Sequence, residues 1–163
     1  MTGVQTCALP ILGLSPGLDF ETRLFVKQGA AAALERELGV ASYQCKTIAI
    51  GTNTDPYQPI EKRYRIMRQV LEVLARHNHP VGIVTKSALV TRDIDILGPM
   101  AKLGLAKVAL SVTTLDRKLA RAMEPRAATP QRRLDTIQAL AEAGIPVSVM
   151  VAPVIPEIGR AHV

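Results

Sequence analysis

Four apolar runs rich in Val and Ile constrain this chain more than any other feature: "TIAIGTNTD" (47–55), "PVGIVTKS" (80–87), "KVALSVTT" (107–114) and "PVSVMVAPVIP" (146–156). Segments of helical period separate them, so the chain reads as a βα alternation. Strands joined by crossover helices are parallel, and runs apolar on both faces predict a sheet covered on both sides. Ligands of such sheets, barrel or doubly wound, sit at the carboxyl ends of the strands. No G-x-G-x-x-G or G-x-x-x-x-G-K loop follows any run, which argues against a dinucleotide or nucleoside-triphosphate fold. The expected fold class is therefore α/β, a partial and incomplete (β/α) barrel with a parallel sheet and outer helices.

The intervening segments carry their own start and stop signals. In "IEKRYRIMRQVLEVLARHNHP" the residues Ile60, Tyr64, Met67, Leu71 and Leu74 step by three and four along one helix face, and His77, Asn78 and Pro80 mark its end. "TPQRRLDTIQALAEAG" has Thr129 as N-cap, Pro130 at the first helical position and Gly144 past the last turn, with Leu134, Ile137 and Leu140 facing inward. "QGAAAALERELG" predicts a short helix ending near Gly39, and "DRKLARAM" another after the third run. Gly98-Pro99 is expected to interrupt the helix between Leu89 and Leu103.

Composition narrows the function classes. At 163 residues the chain suits one domain or a piece of one, and 48% apolar with 21% charged residues is ordinary globular usage. With no Trp, two Phe and three Tyr it has little material for stacking single-stranded nucleic acid. The net charge of +6 invites a phosphate or nucleic-acid partner, but Lys and Arg are scattered over the predicted helices. Cys7 and Cys45 are too few for a disulfide framework and lack metal spacing, which suits a reducing cytoplasm. No apolar stretch is long enough to span a membrane, and no secretory signal opens the chain, so a cytoplasmic location is expected.

The strand ends deliver polar groups to one rim: Asn53-Thr54-Asp55, Thr85-Lys86-Ser87, Ser111 with Thr113-Thr114, and Pro153. Lys86 either binds a carboxylate, forms a Schiff base, or is a solvated rim lysine. Asp55 accepts from a ligand amine or caps the turn that Asp-Pro starts. Asn53 and Thr54 hold a ligand or satisfy their own loop. Ser111 leaves the third strand, whereas Thr113 and Thr114 begin the next turn. In "MEPRAATP" Arg126 can clamp a carboxylate or pair with Glu124 at the surface. His77 and His79 lack a third partner and read as helix-terminal residues rather than metal ligands.

Taken together, "GLSPGLDFETRLFVK", "IAIGTNTDPYQPIE", "NHPVGIVTKS", "LSVTTLD", "MEPRAATPQRRL" and "VMVAPVIP", from about Leu12 to Pro156, resemble the radical SAM proteins related to spore photoproduct lyase. The resemblance implies a partial (β/α) barrel in which a C-x3-C-x2-C loop binds a 4Fe-4S cluster. It also implies S-adenosylmethionine chelated to that cluster and cleaved reductively to a 5′-deoxyadenosyl radical. A flavodoxin or ferredoxin would donate the electron, and the reaction would be DNA photolesion repair or a related lyase step. By position in the family pattern Thr54, Lys86 and Ser111 are similar to S-adenosylmethionine contacts, followed by Asn53, Asp55 and Arg126.

The departure lies at the termini. No C-x3-C-x2-C occurs, and "MTGVQTCALPI" stands where the family places it. That stretch and the terminal "GRAHV" resemble translated sequencing-adapter DNA, so residues 1–11 and 157–163 are expected to be foreign tails around a partial core domain at 12–156. The chain is then expected to be an inactive fragment of a radical SAM enzyme. Two other functions remain open: a Schiff-base aldolase-type barrel using Lys86, and a basic nucleic-acid-binding module.

Overall fold

In the computed structural model, which describes residues 26–125 and 127–151, strands and helices alternate in the expected order. α1 (Ala30–Leu38) precedes β1 (Ile48–Ile50), and α2 (Glu61–Tyr64) with α3 (Ile66–Arg76) leads to β2 (Val81–Thr85). A 3-10 helix (Ala88–Asp93) and α4 (Ile94–Lys102) lead to β3 (Ala106–Ser111). α5 (Arg117–Met123) and α6 (Pro130–Glu142) lead to β4 (Val147–Met150). The sheet order is β1-β2-β3-β4, every pair parallel, with Ile48 opposite Val81, Val81 opposite Ala106 and Val108 opposite Val147. This is an α/β wall of the kind a partial barrel requires.

Sequential order has a steric consequence. Crossovers between neighbouring parallel strands are right-handed as a rule, and α3, α4 and α6 accordingly share one face of the sheet. There Val81, Ile83, Ala106, Val108 and Leu110 meet Met67, Leu71, Leu74, Leu97, Met100, Leu140 and Ile145 in one buried core. The opposite face carries the alternate residues Ala49, Gly82, Val84, Lys107, Ala109 and Ser148, of which Ala49, Lys107 and Ser148 are exposed. The expectation of a sheet covered on both faces is therefore corrected. Among the described residues only one face is covered.

Three local expectations also change. The helix read through Ile60 to Leu74 is broken at Arg65, which adopts φ 51. The Glu61 carboxylate then caps the new N-terminus, accepting from the Met67 backbone at 3.1 Å. Met67, Leu71 and Leu74 remain buried as expected. Gly98-Pro99 does not interrupt α4; the change of helix type comes earlier, at Asp93 and Ile94. Pro99 removes only the bond to the Asp95 carbonyl, on the exposed side of the helix where water can replace it. Leu134 does not face inward but is 39% exposed, and Arg133, at 3%, takes the inward position beside Thr136 and Leu140. The caps themselves are as expected: Thr129 accepts from Arg132 N, Pro130 opens α6 and Gly144 follows it at φ 72.

His77 and His79 are structural. His77 pairs with Glu35, while buried His79 donates from Nδ1 to the Pro80 carbonyl and accepts at Nε2 from the Tyr43 hydroxyl at 2.8 Å. No helix among the described residues is long and apolar enough to cross a membrane.

Gly51 ends β1 at φ 96, and a Cβ there would lie 1.9 Å from the Val84 carbonyl oxygen. Gly104 also has a positive φ of 72 but opens onto free space. Gly51→Ala should therefore cost about 2 kcal/mol or more, by backbone strain plus forced separation of β1 from β2. Gly104→Ala should cost nearer ~1 kcal/mol from the left-handed backbone alone. Urea melts of the two variants check this, and equal losses would show that close approach to β2 does not govern the Gly51 position.

Candidate functional site

The carboxyl ends of β1 and β2 meet through the Asp55 carboxylate. β1 stops at Ile50 while β2 runs to Thr85, so the backbone N–H of Lys86 has no ladder acceptor from β1. Asp55 supplies one: Oδ2 accepts from Lys86 N at 2.7 Å, and Oδ1 accepts from Thr85 Oγ1 at 2.7 Å and from Tyr57 N at 2.9 Å. Hydrogen bonds to a carboxylate are the stronger kind, so this loop is fastened to the neighbouring strand end. Of the two roles open to Asp55, the structure displays the capping one. Asn53 and Thr54 sit exposed just before it.

Tyr57 carries the tie further. Its hydroxyl donates to Asp93 Oδ2 at 3.0 Å, and burial, reinforced by the Asp93 carboxylate, pushes its phenol well above the usual range. Asp93 is fully buried and also accepts from Arg68 at 3.0 Å and from Arg92 at 2.8 and 2.9 Å. Arg92 in turn reaches Glu61 Oε1 at 2.9 Å. A buried carboxylate needs paired, hydrogen-bonded cations to offset its desolvation, and Asp93 has two. The loop after β1 and the 3-10 helix after β2 are thus locked together behind the rim.

Lys86 follows Thr85, whose register partner is Leu110, so one residue further along Lys86 falls opposite Ser111. A chain of charges joins the two. Lys86 Nζ pairs with Glu124 Oε1, Glu124 Oε2 accepts from Arg133 at 2.7 Å, and Arg133 also donates to the Ser111 carbonyl and to the Ala128 carbonyl, each at 2.8 Å. Ser111, Thr113 and Thr114 are buried, and Thr114 Oγ1 accepts from Asp116 N at the start of the next turn. Among the described residues the partners of Glu124 are Lys86 and Arg133; the expected Glu124–Arg126 contact falls on a residue outside them. Arg126 itself lies outside the described residues, as do Cys7, Pro153 and residues 1–11 and 157–163. Sequence reasoning missed Arg133, although its spacing of seven before Leu140 puts it on the inward stripe of α6.

Burial alone would raise the Glu124 carboxyl, but the hydrogen bonds from Lys86 and Arg133 outweigh it and hold the group below its ordinary value. A lowered carboxylate contributes stability that is present above the unfolded pKa near 4.5 and lost as pH falls through the folded value. The stability difference between wild type and Glu124→Gln should therefore be largest at neutral pH and shrink on acidification below about pH 4.5. Denaturant midpoints at three pH values test this, and a gap that widens towards acid would contradict the pairing.

The chain is 42% identical over 147 residues to an uncharacterized protein of Mycobacterium tuberculosis and to one of Mycobacterium bovis, covering 90% of this chain and 43% of each relative. An uncharacterized protein of Methanocaldococcus jannaschii is 30% identical over 111 residues, covering 68% of this chain and 41% of the relative. The chain thus spans less than half the length of the curated relatives it matches. Residues 23–163 match the family model of the radical SAM superfamily, and a match across that much of the sequence, on a parallel wall with its polar groups at the carboxyl rim, makes this chain a member of the radical SAM superfamily.

Proposed function

We propose that residues 12–156 form the cofactor-holding wall of a radical SAM enzyme, in which S-adenosylmethionine lies along the carboxyl rim. Thr54, Lys86 and Ser111 would hold its polar groups, with Asn53, Asp55 and Arg126 around them. The observation that carries this reading is the register, which sets Lys86 opposite Ser111 at the ends of the two central strands. A half-exposed ammonium and neighbouring hydroxyls suit the carboxylate and ribose of such a ligand. Asp55 serves by fixing the Lys86 backbone.

The family's cluster does not fit this chain. A 4Fe-4S cluster that leaves one iron open takes three protein thiolates, and the sequence holds only Cys7 and Cys45. Cys45 is exposed and precedes β1, at the amino end of the sheet opposite the rim. Reductive cleavage of S-adenosylmethionine, an electron donor of the flavodoxin or ferredoxin kind, and photolesion repair or a related lyase reaction are accordingly proposals for the whole protein. Incubated anaerobically with iron and sulfide, the chain should bind well under a full cluster's iron; a full 4Fe-4S complement per chain, by iron assay and absorbance, would refute this.

One observation favours a polyanionic substrate such as DNA. Lys62, Arg63 and Arg65 after β1, and Arg117, Lys118 and Arg121 after β3, are all exposed on segments that leave the carboxyl ends. Residues scattered in the sequence are gathered on one side by the topology, and phosphate contacts of this kind give salt-dependent, sequence-independent affinity. The Schiff-base alternative gains less support, because the Lys86 amine would first have to leave Glu124.

Titrated into the 15N-labelled chain, S-adenosylmethionine should shift amide signals at 52–55, 85–87 and 111–114, and Lys86→Ala should weaken the effect several-fold. Shifts confined to the helical face, or none at all, would sink the cofactor reading.

A further inference from the structure

The rim contains a pair of groups that none of the ligand contacts above uses. Arg133 is 3% exposed, and its donors are directed to three places: the Ser111 carbonyl at the end of β3, the Ala128 carbonyl in the loop before α6, and Glu124 Oε2. Glu124 has two oxygens with two different duties, Oε2 on buried Arg133 and Oε1 on half-exposed Lys86. A lysine on a flexible four-carbon stem does not hold one position unaided, because its rotamer entropy opposes it. A carboxylate fixed from behind by a planar guanidinium offers it a stationary partner.

We infer that Glu124 and Arg133 are positioning residues, which fix the Lys86 ammonium relative to Ser111 so that the rim presents one preassembled cation to an anionic ligand group. This inference rests on the reading of Lys86 and Ser111 as contacts of S-adenosylmethionine. Arg133 sets the distance, since the same side chain binds the Ser111 backbone and the carboxylate that holds Lys86. Glu124 leaves the group with one net charge: two cations against one carboxylate leave one positive charge, and the more exposed of the two cations is Lys86. An incoming carboxylate therefore meets a single cation already in place, and the ordering of its side chain does not have to be supplied by binding.

The experiment uses the full chain with its lysines reductively 13C-methylated, the Lys86 signal being assigned by its loss in Lys86→Arg. In wild type this signal should stand apart from those of the exposed lysines; in Glu124→Gln it should move to their averaged position, with S-adenosylmethionine affinity falling several-fold. Glu124→Asp keeps a charge for Arg133 but draws the carboxylate back from Lys86, and gives the same comparison if the Gln variant does not fold. A Lys86 signal unmoved by both variants, or a wild type and variants that bind equally well, overturns the positioning role while leaving the cofactor reading intact. A wild type that shows no rim response to S-adenosylmethionine sinks that reading and the positioning role in it together.

Discussion

The arrangement of the rim depends on a single carboxylate at the end of β1. Parallel strands of unequal length leave backbone donors without ladder partners, and a buried unpaired N–H costs about 1–3 kcal/mol. Asp55 removes that cost at Lys86 and, through Thr85 and Tyr57, draws the loop of β1 onto the end of β2. Tyr57 then reaches Asp93, around which Arg68, Arg92 and Glu61 assemble. The exposed residues Asn53 and Thr54 are consequently carried on a loop pinned at its far end, not on a free tether.

Much of the fold was legible because its signals are local. Runs of Val and Ile set the strands, and Thr129, Pro130 and Gly144 set the limits of α6 within its own sequence. What could not be read were the places where a distant group decides. Arg65 breaks a regular apolar stripe because Glu61 can cap the helix that restarts after it. Leu134 lost the inward position to Arg133 because partners from β3 and from the loop at 124–128 await a guanidinium there, and nothing within α6 announces them.

The candidate site divides in the same way. That Lys86 and Ser111 end neighbouring strands follows from the alternation of runs, whereas their connection through Glu124 does not, because it joins residues 38 apart in sequence. Glu124 was visible only as one member of a nearby pair with Arg126. Proximity in sequence pointed only to Arg126; the parallel crossover, which returns the chain to the same rim, brings Lys86 to Glu124.

The uneven cover of the sheet has a consequence for how the wall opens. β2 and β3 alternate buried residues along most of their length, while β4 is largely exposed and β1 is only three residues long. Local opening free energy follows such burial, so amide protons of the central pair exchange last and those of the two outer strands first. Lys86 and Ser111 both extend from the central pair. Lys86 and Ser111 are thus borne by the last part of the molecule to unfold, whereas the Asp55 tie to the Lys86 backbone opens with the margin at β1.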